Sequence, residues 1–145
     1  GVDALWMGGD VTVMTAAADD STTTLARAWA GITQLMVVAV FGQSIFAGFM
    51  LSGEGWGRTL HWYTAIALVV GTLLASLIAA VTLRGVANGS RLAAMLFGLT
   101  VALAVQFTLG WRSAQGDNLL WLHVPAGVLM VGFALTPPQI ARRLG

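Results

Sequence analysis

Four long apolar runs constrain this chain more than any other feature. They cover residues 28–51, 60–83, 92–110 and 119–135. Each is near the length a helix needs to cross about 30 Å of hydrocarbon. In lipid a helix satisfies its own backbone, whereas barrel strands would show short alternating segments, and none are present. Composition agrees, with 57% hydrophobic residues and only 9% charged, against about 25% charged in soluble domains. These values exclude an ordinary soluble domain, a disordered chain and a nucleic-acid binder. The 145 residues leave no room for a second domain. The absence of cysteine excludes a disulfide, an iron–sulfur cluster, a thiolate zinc site and a cysteine nucleophile.

Residues 1–27 are a different material, rich in Asp, Thr and Ala, and are expected to form a flexible polar tail. Met14 opens MTAAADDSTTTLARAW, a stretch that reads like a natural protein start. No basic segment followed by an apolar stretch and a cleavage site is visible. The domain proper is 28–145. Its loops, 52–59, 84–91 and 112–118, are short, which predicts an all-α, up-down-up-down four-helix membrane bundle. Arg27, Arg84, Arg91, Arg142 and Arg143 then share one side, and Arg58 and Arg112 the other. The excess of basic residues predicts that both termini are cytoplasmic. The expected location is a prokaryotic plasma membrane. Trp56, Trp62, Tyr63, Trp111 and Trp121 cluster near the outer face, as an aromatic belt would. The fourth run ends at Pro137-Pro138, a stop for a helix.

His61 and His123 are the only histidines. Each begins a run, the second and the fourth, and those two helices run parallel in an up-down bundle. The imidazoles are therefore expected at one depth in the outer leaflet. Ionisable residues in spans are uncommon and usually functional, so the pair suggests a shared ligand. The alternative is that each simply hydrogen-bonds a neighbouring helix. Haem suits the pair better than zinc, which needs three or four ligands, because two axial imidazoles suffice for haem iron. Thr64 and Ala65 follow His61 at i+3 and i+4, and Ala126 and Gly127 follow His123. Those positions share the histidine's face, and small side chains there would let a porphyrin approach. Gly71 is expected near the same face. Leu68, Leu122, Met130 and Phe107 could line the macrocycle edge.

Haem propionates need cationic partners, and Arg58 and Arg112 are the only outer basic residues; their alternative role is to pair with Glu54 and Asp117. Gln106 could donate to a propionate, to an imidazole or across to Gln43, in which case it would orient the ligand or act as interhelical glue. Small residues such as Gly42, Gly48, Gly71, Ala75, Ala79, Gly98 and Gly132 allow close helix approach, within the bundle or in a homodimer. GEGWG, with no strand before it, reads as a turn. Walker A, dinucleotide-binding, HExxH and nucleophile-elbow motifs are absent, and no Asp, Glu, Lys or Arg lies inside a span.

Two stretches carry a resemblance. IFAGFMLSGEGWGRTLHWYTAIALVVG has an apolar helix, a Gly-rich loop and a His at the start of the next helix. VQFTLGWRSAQGDNLLWLHVPAGVLMVGF has Gln, Leu-Gly, a polar loop and a second His. Together, over about 34–134, they resemble one four-helix half of haem A synthase, and a family of small, uncharacterised four-helix membrane proteins with the same pattern. The resemblance implies that His61 and His123 are axial ligands of a b-type haem. Haem A synthase has eight spans and two such pairs, and its acidic residue before the helix-two histidine is matched only loosely by Glu54, so its methyl-oxidising chemistry is not implied. Similarity to cytochrome b561-type proteins is at the level of architecture alone. The expectation is therefore a b-type cytochrome with one bis-histidine haem b, in membrane lipid, serving electron transfer or redox chemistry with a partner protein or quinone. Its rivals are a haem-free accessory subunit of a larger membrane complex and a small transporter.

Overall fold

The computed structural model describes the backbone of residues 7–145 and the side chains of residues 21–145. The chain is all-helical: α1 (Met7–Leu51), α2 (Gly55–Thr82), α3 (Gly89–Ala114), α4 (Leu120–Ala134) and the short α5 (Thr136–Ala141). Four segments, Ser21–Leu51, Gly55–Thr82, Gly89–Ala114 and Leu120–Ala141, are long and apolar enough to cross a membrane. Their outward faces fit lipid. Leu129 is 74% exposed and Val128 and Leu35 are each 69% exposed, which water would penalise and hydrocarbon does not.

Several boundaries differ from the sequence expectation. Residues 21–27, at the end of the expected tail, lie in α1, and Leu25 and Ala26 pack on the core. Residues 1–6, and the side chains up to residue 20, lie outside the described residues. The GEGWG turn is also corrected. Only residues 52–54 separate α1 from α2, with Gly53 reversing the chain at φ +89°, a conformation glycine adopts without strain. Gly57 already belongs to α2 and presses on α1: a Cβ there would stand 2.6 Å from Phe49 Cβ and 2.8 Å from Met50 N. Arg112 and Arg91 likewise lie within α3 rather than in loops. The double proline ends α4 and starts α5, where Pro137 and Pro138 occupy the first turn, the one helical place that tolerates a missing N–H.

Consecutive helices meet as hairpins. Thr72 of α2 lies 3.1 Å, oxygen to oxygen, from Thr100 of α3, and Gln106 of α3 reaches His123 of α4. α1 and α3 each pack against both α2 and α4, while α2 and α4 face each other across the bundle without close backbone contact. The core is uneven along the axis. One cluster, including Trp29, Ala79, Leu83, Leu92, Leu96 and Ile140, fills the end where α5 docks. A second, built from Val37, Val40, Leu68, Leu99, Leu103, Met130 and Ala134, fills the middle. Ala75 and Ala79, one turn apart on α2, let α3 approach closely. Among the described residues, no hydrophobic side chain nearer the other end, that of the α1–α2 and α3–α4 turns, is buried.

Candidate functional site

Both histidines stand in that loosely packed half, each near the start of its helix. Their rings face each other across the α2–α4 diagonal, with centroids 6.4 Å apart and planes at 86°. Each Nδ1 meets a backbone carbonyl of the preceding helix: His61 Nδ1 lies 3.2 Å from Gln43 O, and His123 Nδ1 lies 3.1 Å from Gln106 O. Neither Nε2 has a hydrogen-bond partner among the described residues. An imidazole that donates through Nδ1 presents a bare Nε2, the usual form of a metal-ligating histidine.

The supporting residues come from the facing helix. Gln106 Nε2 donates to His123 O at 2.7 Å, so the two residues are joined twice. Gln106 Oε1 is buried and without a partner. Gly127 gives the amide its room, since a Cβ there would lie 3.0 Å from Gln106 Nε2. Gly110, which the sequence reading did not single out as a site residue, is tighter still: a Cβ would lie 2.8 Å from His123 Cε1 and 3.2 Å from Nε2. The imidazole thus rests on the bare backbone of α3. The Leu-Gly that follows Gln106 in the sequence was the available signal.

Around His61 the contacts run through Gln43 and Thr64. One amide position of Gln43 lies 2.6 Å from Thr64 Oγ1 and 2.7 Å from Ala65 N; the other lies 2.7 Å from His61 Nδ1 and 3.3 Å from His61 O. Thr64 Oγ1 also sits 2.5 Å from Leu60 O. Ala65, half-buried, therefore meets the Gln43 amide. Gln106 bonds to His123, and Gln43 to α2, so the two glutamines do not pair with each other.

The remaining expected residues divide. Leu68 and Met130, two turns below the histidines, belong to the central core and form the floor of the site. Phe107 packs against Trp62 at 5.0 Å, and Leu122 is exposed. A Cβ on Gly71 would meet no atom within 4 Å. Arg112 forms an exposed ion pair with Asp117 at 2.5 Å, as one of its two readings anticipated. Arg58, exposed one turn before His61, has no ion pair with Glu54. Trp56, Trp62, Tyr63, Trp111 and Trp121 are all exposed near the turns.

The donor set discriminates among ligands. Among the described residues no group of three or more His, Asp or Glu could hold a metal ion, so a zinc site built from protein ligands alone has too few donors. Two imidazoles bonded at about 2 Å to opposite sides of one metal ion have centroids about 6 Å apart. The observed centroid spacing of 6.4 Å is of that size. The buried, unpartnered Gln106 Oε1 marks the same neighbourhood as polar. No family model, curated protein or solved structure matches this chain.

Proposed function

We propose that the chain is a b-type cytochrome of a prokaryotic plasma membrane. In this reading it spans the bilayer up-down-up-down with both termini cytoplasmic, and holds one haem b near the outer face between His61 and His123. The observation that carries the reading is the facing imidazole pair, 6.4 Å between centroids, with both Nδ1 atoms tied to carbonyls. Haem supplies one-electron redox chemistry when bound. The chain's own residues hold and orient it. His61 and His123 present Nε2, Gly110 lets the His123 ring lie against α3, and the Leu68–Met130 floor keeps the lower side dry. Arg58, which has no ion pair among the described residues, is available to a propionate. Arg112 could serve the other only by sharing with Asp117, and as a solvated surface pair that bond is weak enough to share. Ala65, Gly127 and Gln106 keep the site's walls small or polar, while Gly71 lies beyond the Leu68–Met130 floor. With both histidines holding the group, the site would suit electron transfer to or from a protein or quinone at the outer face.

The test is the absorption spectrum of the detergent-purified protein before and after dithionite, with a pyridine haemochrome assay. A Soret band, sharpened α and β bands on reduction and about one haem b per chain are expected. His61→Ala and His123→Ala should each abolish the bis-histidine spectrum. A colourless protein from haem-replete cells would sink the reading. It would favour a haem-free accessory subunit, in which the two Nδ1 bonds to carbonyls are merely interhelical links.

A further inference from the structure

The two histidines sit in different proton environments. His123 Nδ1 faces a carbonyl, Gln106 O, at 3.1 Å, and a carbonyl can only accept. Gln106 spends its amide nitrogen on His123 O. His123 is thereby fixed with its proton on Nδ1. His61 has a second neighbour, because one end of the Gln43 amide lies 2.7 Å from its Nδ1. An amide has an accepting end and a donating end, and which one faces the ring decides where the proton sits.

The amide can take two orientations, each with its own network. With Oε1 towards the ring, His61 Nδ1 donates to Gln43 Oε1, Gln43 Nε2 donates to Thr64 Oγ1 at 2.6 Å, and the hydroxyl donates to Leu60 O. It has two mismatches: Ala65 N then faces the amide nitrogen at 2.7 Å, and His61 O faces Oε1 at 3.3 Å. With the amide turned, Oε1 accepts from Ala65 N and Thr64 Oγ1, and Nε2 donates to His61 Nδ1. The imidazole proton is then on Nε2. The first arrangement bares the coordinating nitrogen and the second blocks it. Each leaves two contacts badly served: Ala65 N and His61 O in the first, and in the second the Gln43 O contact with Nδ1 and the Leu60 O contact with Thr64, whose one hydroxyl proton then goes to Gln43.

We propose that Gln43, backed by Thr64, is a positioning residue that selects the tautomer of His61, making His61 the conditional ligand of the pair and His123 the permanent one. The use of this device rests on the haem reading, whereas the tautomers themselves do not. A ligand that binds one of two states has its apparent affinity reduced by the fraction in the competent state. Fixing Gln43 as an acceptor should therefore tighten haem binding without touching either ligand.

The experiment uses the full-length chain with 15N-labelled histidine, produced in a haem-deficient host and placed in lipid nanodiscs. Imidazole nitrogen NMR should show His123 protonated on Nδ1 alone, and His61 divided between the two tautomers. Gln43→Glu, whose carboxyl oxygen can accept from Nδ1, should collapse His61 to the Nδ1–H form and leave His123 unmoved. Haemin titrated into the same samples should bind the Gln43→Glu chain about twofold tighter or more, the gain expected if half the wild-type chains hold the wrong tautomer. Thr64→Val, which removes the hydroxyl from both networks, should change the His61 ratio alone. The proposal is overturned if wild-type His61 shows a single tautomer, or if His123 is the divided residue. The wild-type spectrum decides even if a variant fails to fold. A wild-type chain that takes up no haemin but shows the predicted tautomers sinks the cytochrome reading and leaves this one standing.

Discussion

The placement of His123 depends on a residue with no side chain. Gly110 lets the imidazole rest on α3, and a methyl group there would come within 2.8 Å of Cε1, well inside the 3.5–4.0 Å at which carbon atoms attract. Gly110→Ala should therefore displace the ring. The expected outcome is loss of most Soret absorbance with unchanged helical circular dichroism; a variant with full haem content would show that the ring need not lie there. At this scale the sequence was partly legible. The pairing of His61 with His123 followed from two positions and a topology. Gln106 was recognisable as a buried amide, but not its partner, because two turns of drift on either helix change which backbone carbonyl comes within reach. Gly127, expected to give a ligand clearance, also clears the Gln106 amide. Gly71 and Gly127 look alike in sequence, and only packing shows that one is tight and the other open.

Among the elements, α2 shows why helix boundaries were harder to read than helix existence. Its first turn, Gly55 to Arg58, holds two glycines and so looks like loop by propensity. Tertiary contact decides instead, since Gly57 is needed where α2 leaves α1. Gly57→Ala offers no rotamer to relieve its clash with Phe49 and Met50 and should cost about 1–3 kcal/mol, the usual range for overpacking, read as a lowered thermal midpoint in detergent. Leu96, fully buried between α2, α3 and the C-terminal segment, belongs to the other end. Leu96→Ala should cost about 2–5 kcal/mol by cavity formation while leaving the histidine pair in place. A Leu96→Ala protein that unfolds early yet keeps its spectrum would separate the structural half of the bundle from the ligand half. α5 was missed because a proline pair marks the end of one helix as readily as the first turn of the next.

For the molecule as a whole, the apolar runs made the membrane class legible at once, since nothing but hydrocarbon suits so many exposed aliphatic side chains. Orientation rests on the distribution of arginines, and the chain offers a clean way to test it because it contains no cysteine. Ser52→Cys and Gln115→Cys, in the two turns near the histidines, should react with a membrane-impermeant maleimide added outside intact cells. Ser90→Cys, at the opposite end, should react only after permeabilisation. The reverse pattern would place the histidines on the cytoplasmic side. The uneven core was not legible, because each helix is apolar along its whole length and only packing shows where burial stops.

The diagonal placement of the histidines also has a consequence in time. Synthesis delivers His61 on α2 and His123 two helices later, on α4. Until α4 has entered the bilayer the first imidazole has no counterpart, and no nascent chain ending before residue 123 can form the pair. Whatever both imidazoles hold together must therefore be captured after α4 has joined three helices that are already anchored.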